Sequence, residues 1–182
     1  VSQDRIIFAG VEFMGESAKI LNPKKRVFMP DMNADCPMAH MADKDEILAL
    51  REKYDDLAVV CYINSTAELK KYSDVCVTSS NAVKIVKNLP NKNIFFIPDR
   101  NLGSYVAKQC PDKNFIFNNG CCPRHVVITK DMVLKAKELH PEARFAAHPE
   151  CTEDVLAFAD YVGSTSGIID YVVDTDCEEF II

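Results

Sequence analysis

Short runs of β-branched and aromatic residues alternate with segments of helical periodicity along most of this chain. The runs IIFA (6–9), VFMP (27–30), AVVCYI (58–63), VCVT (75–78), IFFIP (94–98), FIFN (115–118), RFAAH (144–148) and YVG (161–163) predict strands. Between many of them, FMGESAKIL, KDEILALREKY, NAVKIVKNL, LGSYVAKQ and ITKDMVLKAKELH predict helices. Strand and helix in alternation build mostly parallel sheets, whose ligands bind at the carboxyl ends of the strands. The expected fold is therefore α/β, with three-layer αβα units.

The pattern also repeats. CYINSTAELKKYSDVCVTSSNAV (61–83) aligns without gaps on AHPECTEDVLAFADYVGSTSGII (147–169), each reading strand, polar turn, short helix, Asp, short strand and a Ser/Thr/Gly-rich turn into a helix. One spacing of 86 residues carries Tyr62 onto His148, Asn64 onto Glu150, Asp74 onto Asp160 and Ser79 onto Thr165. The same spacing carries Cys36 onto Cys122 and Pro37 onto Pro123. Of the adjacent pair Cys121 and Cys122, it is thus Cys122 that repeats. Two related units are expected, residues 1–92 with the Cys36 loop and the Tyr62/Asn64 strand end, and residues 93–182 with the Cys122 loop and the His148/Glu150 strand end.

A formal charge of −6, with no basic run, argues against nucleic acid as a partner and favours a small molecule. No apolar run approaches the roughly 18 residues that a membrane helix requires, and no signal-peptide pattern is present, so the chain reads as cytoplasmic. Its eight cysteines then read as reduced thiols, with Cys61, Cys76 and Cys110 packed as small apolar residues. The chain starts without Met, close to a strand, and stops in the apolar run EEFII. Both ends read as cut, the second unit being short at its C-terminus.

Units sharing a fold pack about a pseudo-symmetry axis, which would bring Cys36 and Cys122 to one centre. Two thiolates seldom complete a zinc or iron–sulfur site; if the chain is a piece of a longer protein, a third unit could supply another cysteine. The turns TSSNA and GSTSG offer helix-start amides and hydroxyls to a carboxylate or phosphate, although Ser79 and Thr165 have a plainer reading as helix caps. Residues two apart on a strand share a face. Tyr62 with Asn64, and His148 with Glu150, therefore present groups suited to proton transfer and carbonyl polarisation, while His148 before Pro149 also reads as a structural histidine. His40 and His125 lie near the repeated cysteines without matching each other, His140 reads as surface, and Arg100 of the PDRNLG turn reads equally as site or scaffold. A zinc hydrolase using Cys36, Cys122 and His125 or His40 stays open at this point, as does a metal-free module binding a phosphorylated metabolite.

The ordered set FAGVEFMGESAKILNP, VFMPDMNADCPMA, YINSTAELK, VTSSNAV, IPDRNLGSYVA, NGCCPRH, AHPEC and ADYVGSTSG closely resembles the quinolinate synthase family, over nearly the whole chain. That resemblance implies three pseudo-equivalent α/β units around a 4Fe-4S cluster held by three cysteines, with one iron open to substrate. It implies condensation of iminoaspartate with dihydroxyacetone phosphate to quinolinate, with loss of phosphate and two waters, in de novo NAD biosynthesis. L-aspartate oxidase or aspartate dehydrogenase would supply the first substrate. By motif, Cys36 and Cys122 become cluster ligands, and Tyr62, His148 and Glu150 catalytic groups. Asn64, Ser79, Ser164 and Thr165 become substrate-binding groups. The resemblance also implies an oxygen-sensitive cluster. The family's first unit is expected upstream of Val1 and its third cluster cysteine downstream of Ile182, since Cys177, in the unmatched context DTDCEEF, is not assigned as a ligand.

Overall fold

A computed structural model of the chain describes residues 2–182. Strand β1 (Arg5–Ile7), helix α1 (Glu12–Leu21) and β2 (Arg26–Phe28) come first, followed by a 3-10 turn over Pro37–His40. Then come α2 (Lys44–Lys53), β3 (Leu57–Tyr62), α3 (Ala67–Lys70), β4 (Val75–Val77), α4 (Ala82–Asn88), β5 (Asn93–Ile97), α5 (Arg100–Gln109) and β6 (Asn114–Phe117). The chain continues through α6 (Lys130–Leu139), β7 (Arg144–Ala147), α7 (Glu153–Leu156), β8 (Tyr161–Val162) and α8 (Thr165–Asp174) to β9 (Phe180–Ile181). The eight expected strands all form, displaced by at most about two residues at either end. The addition is β9, from the terminal EEFII run, which pairs with Arg144 and Phe145 of β7.

All strand pairs are parallel: β1 with β2, a four-stranded sheet ordered β4-β3-β5-β6, and a three-stranded sheet ordered β8-β7-β9. The middle sheet explains why the sequence of β3 carries no polar alternation. Val60 and Tyr62 pack with Ile94, Phe96, Val86, Leu102 and Val106 on the face covered by α4 and α5. Leu57, Val59 and Cys61 pack with Phe95, Ile47 and Leu69 on the face covered by α2 and α3. Every residue of β3 is buried as a result. Each of its large apolar side chains contributes about 1.5–3 kcal/mol by leaving water. Helix starts are fixed locally, with Asp43, Thr66, Asp99, Thr129 and Ser164 each accepting a backbone N–H of the following turn.

The sheets divide the chain differently from units at 1–92 and 93–182. β5 pairs with β3 and β6 with β5, so the strands on either side of residue 92 lie in one sheet. The physical reason is that β3 is central and needs a partner on both edges, which β4 and β5 supply.

Matched detail nevertheless recurs at the spacing of 86 residues. Helices α2 and α3 find their counterparts in α6 and α7, and the pairing of Val60 with Val75 is matched by that of Ala146 with Tyr161. The Asp74 carboxylate accepts the Val59 N–H at 2.7 Å, and its Asp160 counterpart accepts the Phe145 N–H at 2.8 Å. Arg51 of α2 reaches Asp74 at 2.8 Å, and Lys137 of α6 reaches Asp160 at 3.3 Å. Each Asp therefore ties a helix to the strand beneath it. Asp74→Ala is expected to lose about 1–2 kcal/mol, chiefly through the stranded strand N–H, as a lower urea midpoint with an unchanged slope. An unaltered midpoint would show that the tie carries no stability.

Candidate active site

The two Cys-Pro loops meet. Cys36 precedes the 3-10 turn, where Pro37 has a preset φ and the Cys36 carbonyl accepts the Ala39 N–H at 2.9 Å. The Cys122 carbonyl likewise accepts the His125 and Val126 N–H groups, at 3.2 and 3.1 Å. Between the loops the Asn118 amide donates to the Met41 carbonyl at 2.9 Å, while Met38 and Cys122 share one core cluster against which Cys36 packs. Gly120 allows this approach, because a Cβ there would collide with the Pro98 carbonyl. Burial raises the Cys36 thiol above its ordinary range; the Met38 and Ala39 amides oppose the rise, and the charges of Cys122 and Glu150 add to it.

The Cys122 loop is also held from beneath. Asp99, at the end of β5, is fully buried. One of its oxygens accepts the Leu102 N–H at 2.7 Å and caps α5, and the other accepts the Cys122 N–H at 2.9 Å. Burial pushes the Asp99 carboxyl up to about 6, against the pull of these amides. The Asn101 amide donates at 3.0 Å to the carbonyl of Glu150, joining the first turn of α5 to the end of β7.

Glu150 is the hub. It is 3% exposed, and one oxygen accepts from His125 Nδ1 at 2.9 Å while the other lies 3.9 Å from His148 Nδ1. A carboxylate only accepts, so the proton is on His125 Nδ1, which also lies 3.1 Å from Cys122 Sγ. Burial works against the Glu150 charge, but hydrogen bonds from His125, Tyr62 and Cys122 outweigh it and hold the carboxyl at about 2. The contacts with Cys122 and then Glu150 push His125 up to about 10. His148, stacked on His125 with ring centroids 5.0 Å apart, is driven the other way by burial. Burial, and then the Glu150 charge, lift the Tyr62 phenol well above its ordinary range, with Ser79 opposing by hydrogen bond. At neutral pH the cluster thus holds an anionic Glu150, a cationic His125, a neutral His148 and a protonated Tyr62.

A cavity of about 940 Å³ opens on this cluster, lined at its polar end by Tyr62, Asn64, Cys122, His148, Glu150 and Thr165. Ser79 reaches the site through the Tyr62 phenol. The cap positions of α4 and α8 belong to Asn81 and Ser164 rather than to Ser79 and Thr165. Ser164 Oγ accepts the Gly167 N–H at 3.2 Å and lies 3.1 Å from Ser166 Oγ. His40 stands apart, paired with Asp35 at 2.8 Å in an exposed position, and His140 pairs with Glu179 at 2.6 Å, also exposed. Arg100 contributes its backbone N–H to the Gly120 carbonyl at 2.8 Å.

The PDRNLG turn, read from the sequence as a second polar loop of the site, holds Asp99 and Asn101, neither of which is assigned a role from the sequence, and His125 entered only the zinc alternative. His125 lacks a counterpart at the matched position, which is what set it aside. The usable signal for Asp99 was an acidic residue at a strand end opening a helix. Cys122, His125 and Glu150 place one ligand atom each within 4.8 Å of one another, a donor set able to hold a metal.

A family model described as "Quinolinate synthetase A protein" matches residues 1–182. The chain belongs to the quinolinate synthetase A family. Among relatives, it is 62% identical over 177 residues to a quinolinate synthase of Fusobacterium nucleatum subsp. nucleatum, covering 97% of this chain and 59% of the relative. It is 54% identical over 181 residues to a quinolinate synthase of Caldicellulosiruptor saccharolyticus, covering 100% of this chain and 60% of the relative. A quinolinate synthase of Clostridioides difficile is 49% identical over 180 residues, covering 99% and 59%. The chain therefore spans about 60% of the length of these family members. Among its described residues, no helix is long and apolar enough to cross a membrane.

Proposed function

We propose that the complete protein is a quinolinate synthase of de novo NAD biosynthesis, joining iminoaspartate to dihydroxyacetone phosphate with loss of phosphate and water. The supporting observation is that Cys36 packs against the core cluster holding Cys122 and Tyr62, while Tyr62, Cys122, His148 and Glu150 line one cavity, in a chain of this family. L-aspartate oxidase or aspartate dehydrogenase would supply the iminoaspartate, and the reaction would take place in the cytoplasm.

The donor set fits a 4Fe-4S cluster, since Cys122 lines the cavity, half-buried Cys36 is close enough to feel its charge, and a third cysteine would come from outside this chain. When bound, the cluster would supply a Lewis-acidic iron for a substrate oxygen. Neutral His148 is the group able to take a proton from substrate, and the protonated Tyr62 phenol is the donor able to polarise a carbonyl. Glu150 orients both and keeps the positive charge on His125. Asn64, Ser79, Ser164 and Thr165 would bind carboxylate or phosphate. For Ser164 this role competes with its cap bond, so its contact would come through the amides of the α8 start.

Anaerobic reconstitution of the complete protein tests the reading. Stoichiometric iron and sulfide are expected, with quinolinate formed from the two substrates, and Cys36→Ala or Cys122→Ala should abolish both. Zinc without sulfide, or binding of dihydroxyacetone phosphate unaffected by Cys36→Ala, would overturn it in favour of the hydrolase or the binding module. Family membership favours neither alternative.

A further inference from the structure

Away from the proposed cluster, two more thiols face each other. Cys61 of β3 and Cys76 of β4 are register partners in the parallel sheet. Partners on adjacent strands project to the same face, and their Cα atoms, about 4.8 Å apart, fall inside the window of about 4.4–6.8 Å that a disulfide spans. The two thiols are close enough that each shifts the titration of the other. Cys61 is fully buried beneath the helices, with its Sγ 2.8 Å from Ser65 Oγ, whereas Cys76 is exposed. The pair thus has one thiol open to a reagent and a second held behind it.

The Lys70 ammonium lies close enough to act on both thiols, anchored at 2.5 Å on the Ser65 carbonyl. The neighbouring Cys61 thiol, helped by Lys70, brings Cys76 down to about 7, while the same proximity and then burial drive Cys61 upward. The exposed member therefore carries the thiolate and the buried one keeps its proton. This is the division of labour of an attacking and a resolving cysteine.

We propose that Cys61 and Cys76 form a reversible oxidation site, closing to a disulfide between β3 and β4 in the presence of a hydroperoxide or a small-molecule disulfide. With a hydroperoxide, the Cys76 thiolate attacks one oxygen, an S–O bond forms, the O–O bond breaks, and the departing oxygen takes a proton. Cys61 sulfur then attacks Cys76 sulfur, the S–S bond forms, and the sulfenic oxygen leaves as water with the Cys61 proton. Two thiols are oxidised and one peroxide is reduced by two electrons. With a small disulfide, two successive exchanges release two small thiols, and an excess of thiol reverses the reaction. The bond would form directly before Tyr62 in the chain but on the opposite, α2/α3 face of the sheet, without using any group assigned to catalysis.

The test reads covalent state, independently of turnover. Lys70 and Lys71 lie between the two cysteines, so trypsin releases them on separate peptides and a crosslink is unambiguous. Treating the reduced chain with hydrogen peroxide or oxidised glutathione should give a Cys61–Cys76 crosslinked peptide that dithiothreitol removes. Alkylation of Cys76 should outpace that of Cys177 by about tenfold. Cys61→Ala should stop at a stable glutathione adduct on Cys76. Cys76→Ser should leave Cys61 unmodified, and serves if the buried substitution fails to fold. Equal alkylation of Cys76 and Cys177, absence of the crosslink, or a Cys36–Cys122 crosslink in its place would overturn the proposal.

Discussion

Glu150→Gln in the complete protein should lower turnover by about 10²–10⁴-fold while leaving iron and sulfide content unchanged. Glutamine keeps the shape of the side chain and removes its charge. His125 then loses one of the two contacts that hold it near 10, and the Tyr62 phenol loses a charged acceptor. His148 no longer has a carboxylate 3.9 Å away to stabilise a proton it takes up. All three effects bear on proton movement. Steady-state rates with parallel iron analysis separate the outcomes: unchanged turnover would remove Glu150 from the chemistry, and loss of iron would recast it as a structural support.

Asp99→Ala should be the most destabilising single change at the site, by about 2–4 kcal/mol. It removes a helix cap worth about 1 kcal/mol and strands the buried Cys122 N–H at a further cost of about 1–3 kcal/mol. For a chain of this length that corresponds to a fall of roughly 5–15 °C in melting temperature. Asp99→Asn should cost less, because it retains one accepting oxygen and relieves the burial that raises the carboxyl to about 6. Thermal unfolding of the two variants beside the parent chain checks the order. Alanine melting no lower than asparagine would mean that the Cys122 amide finds another acceptor.

How much of this was readable in advance depended on the range of the interactions. The strands were legible because β-branched runs between turns and helices have few other solutions, and β3 announced its burial on both faces by lacking polar alternation. The convergence of Cys36 and Cys122 was legible because a repeat predicts that equivalent loops gather. The roles of Asp99 and His125 were not. The first rests on a hydrogen bond to a backbone amide 23 residues away, and the second on a histidine without a counterpart in the other unit. The strand β9 was hidden for a related reason, since two residues acquire strand character only from the neighbour they lie against. Cys61 and Cys76 read singly as packing residues, and their facing arrangement emerged only with the register of the sheet.

The amide bridge from Asn118 to Met41 has a consequence for assembly. In small metal-dependent domains the ion gathers ligands that are otherwise scattered, so binding and folding are one event. Here contacts within the chain already hold both sulfur-bearing turns, so an inorganic guest would enter a mould cast beforehand. Its removal should leave the polypeptide standing.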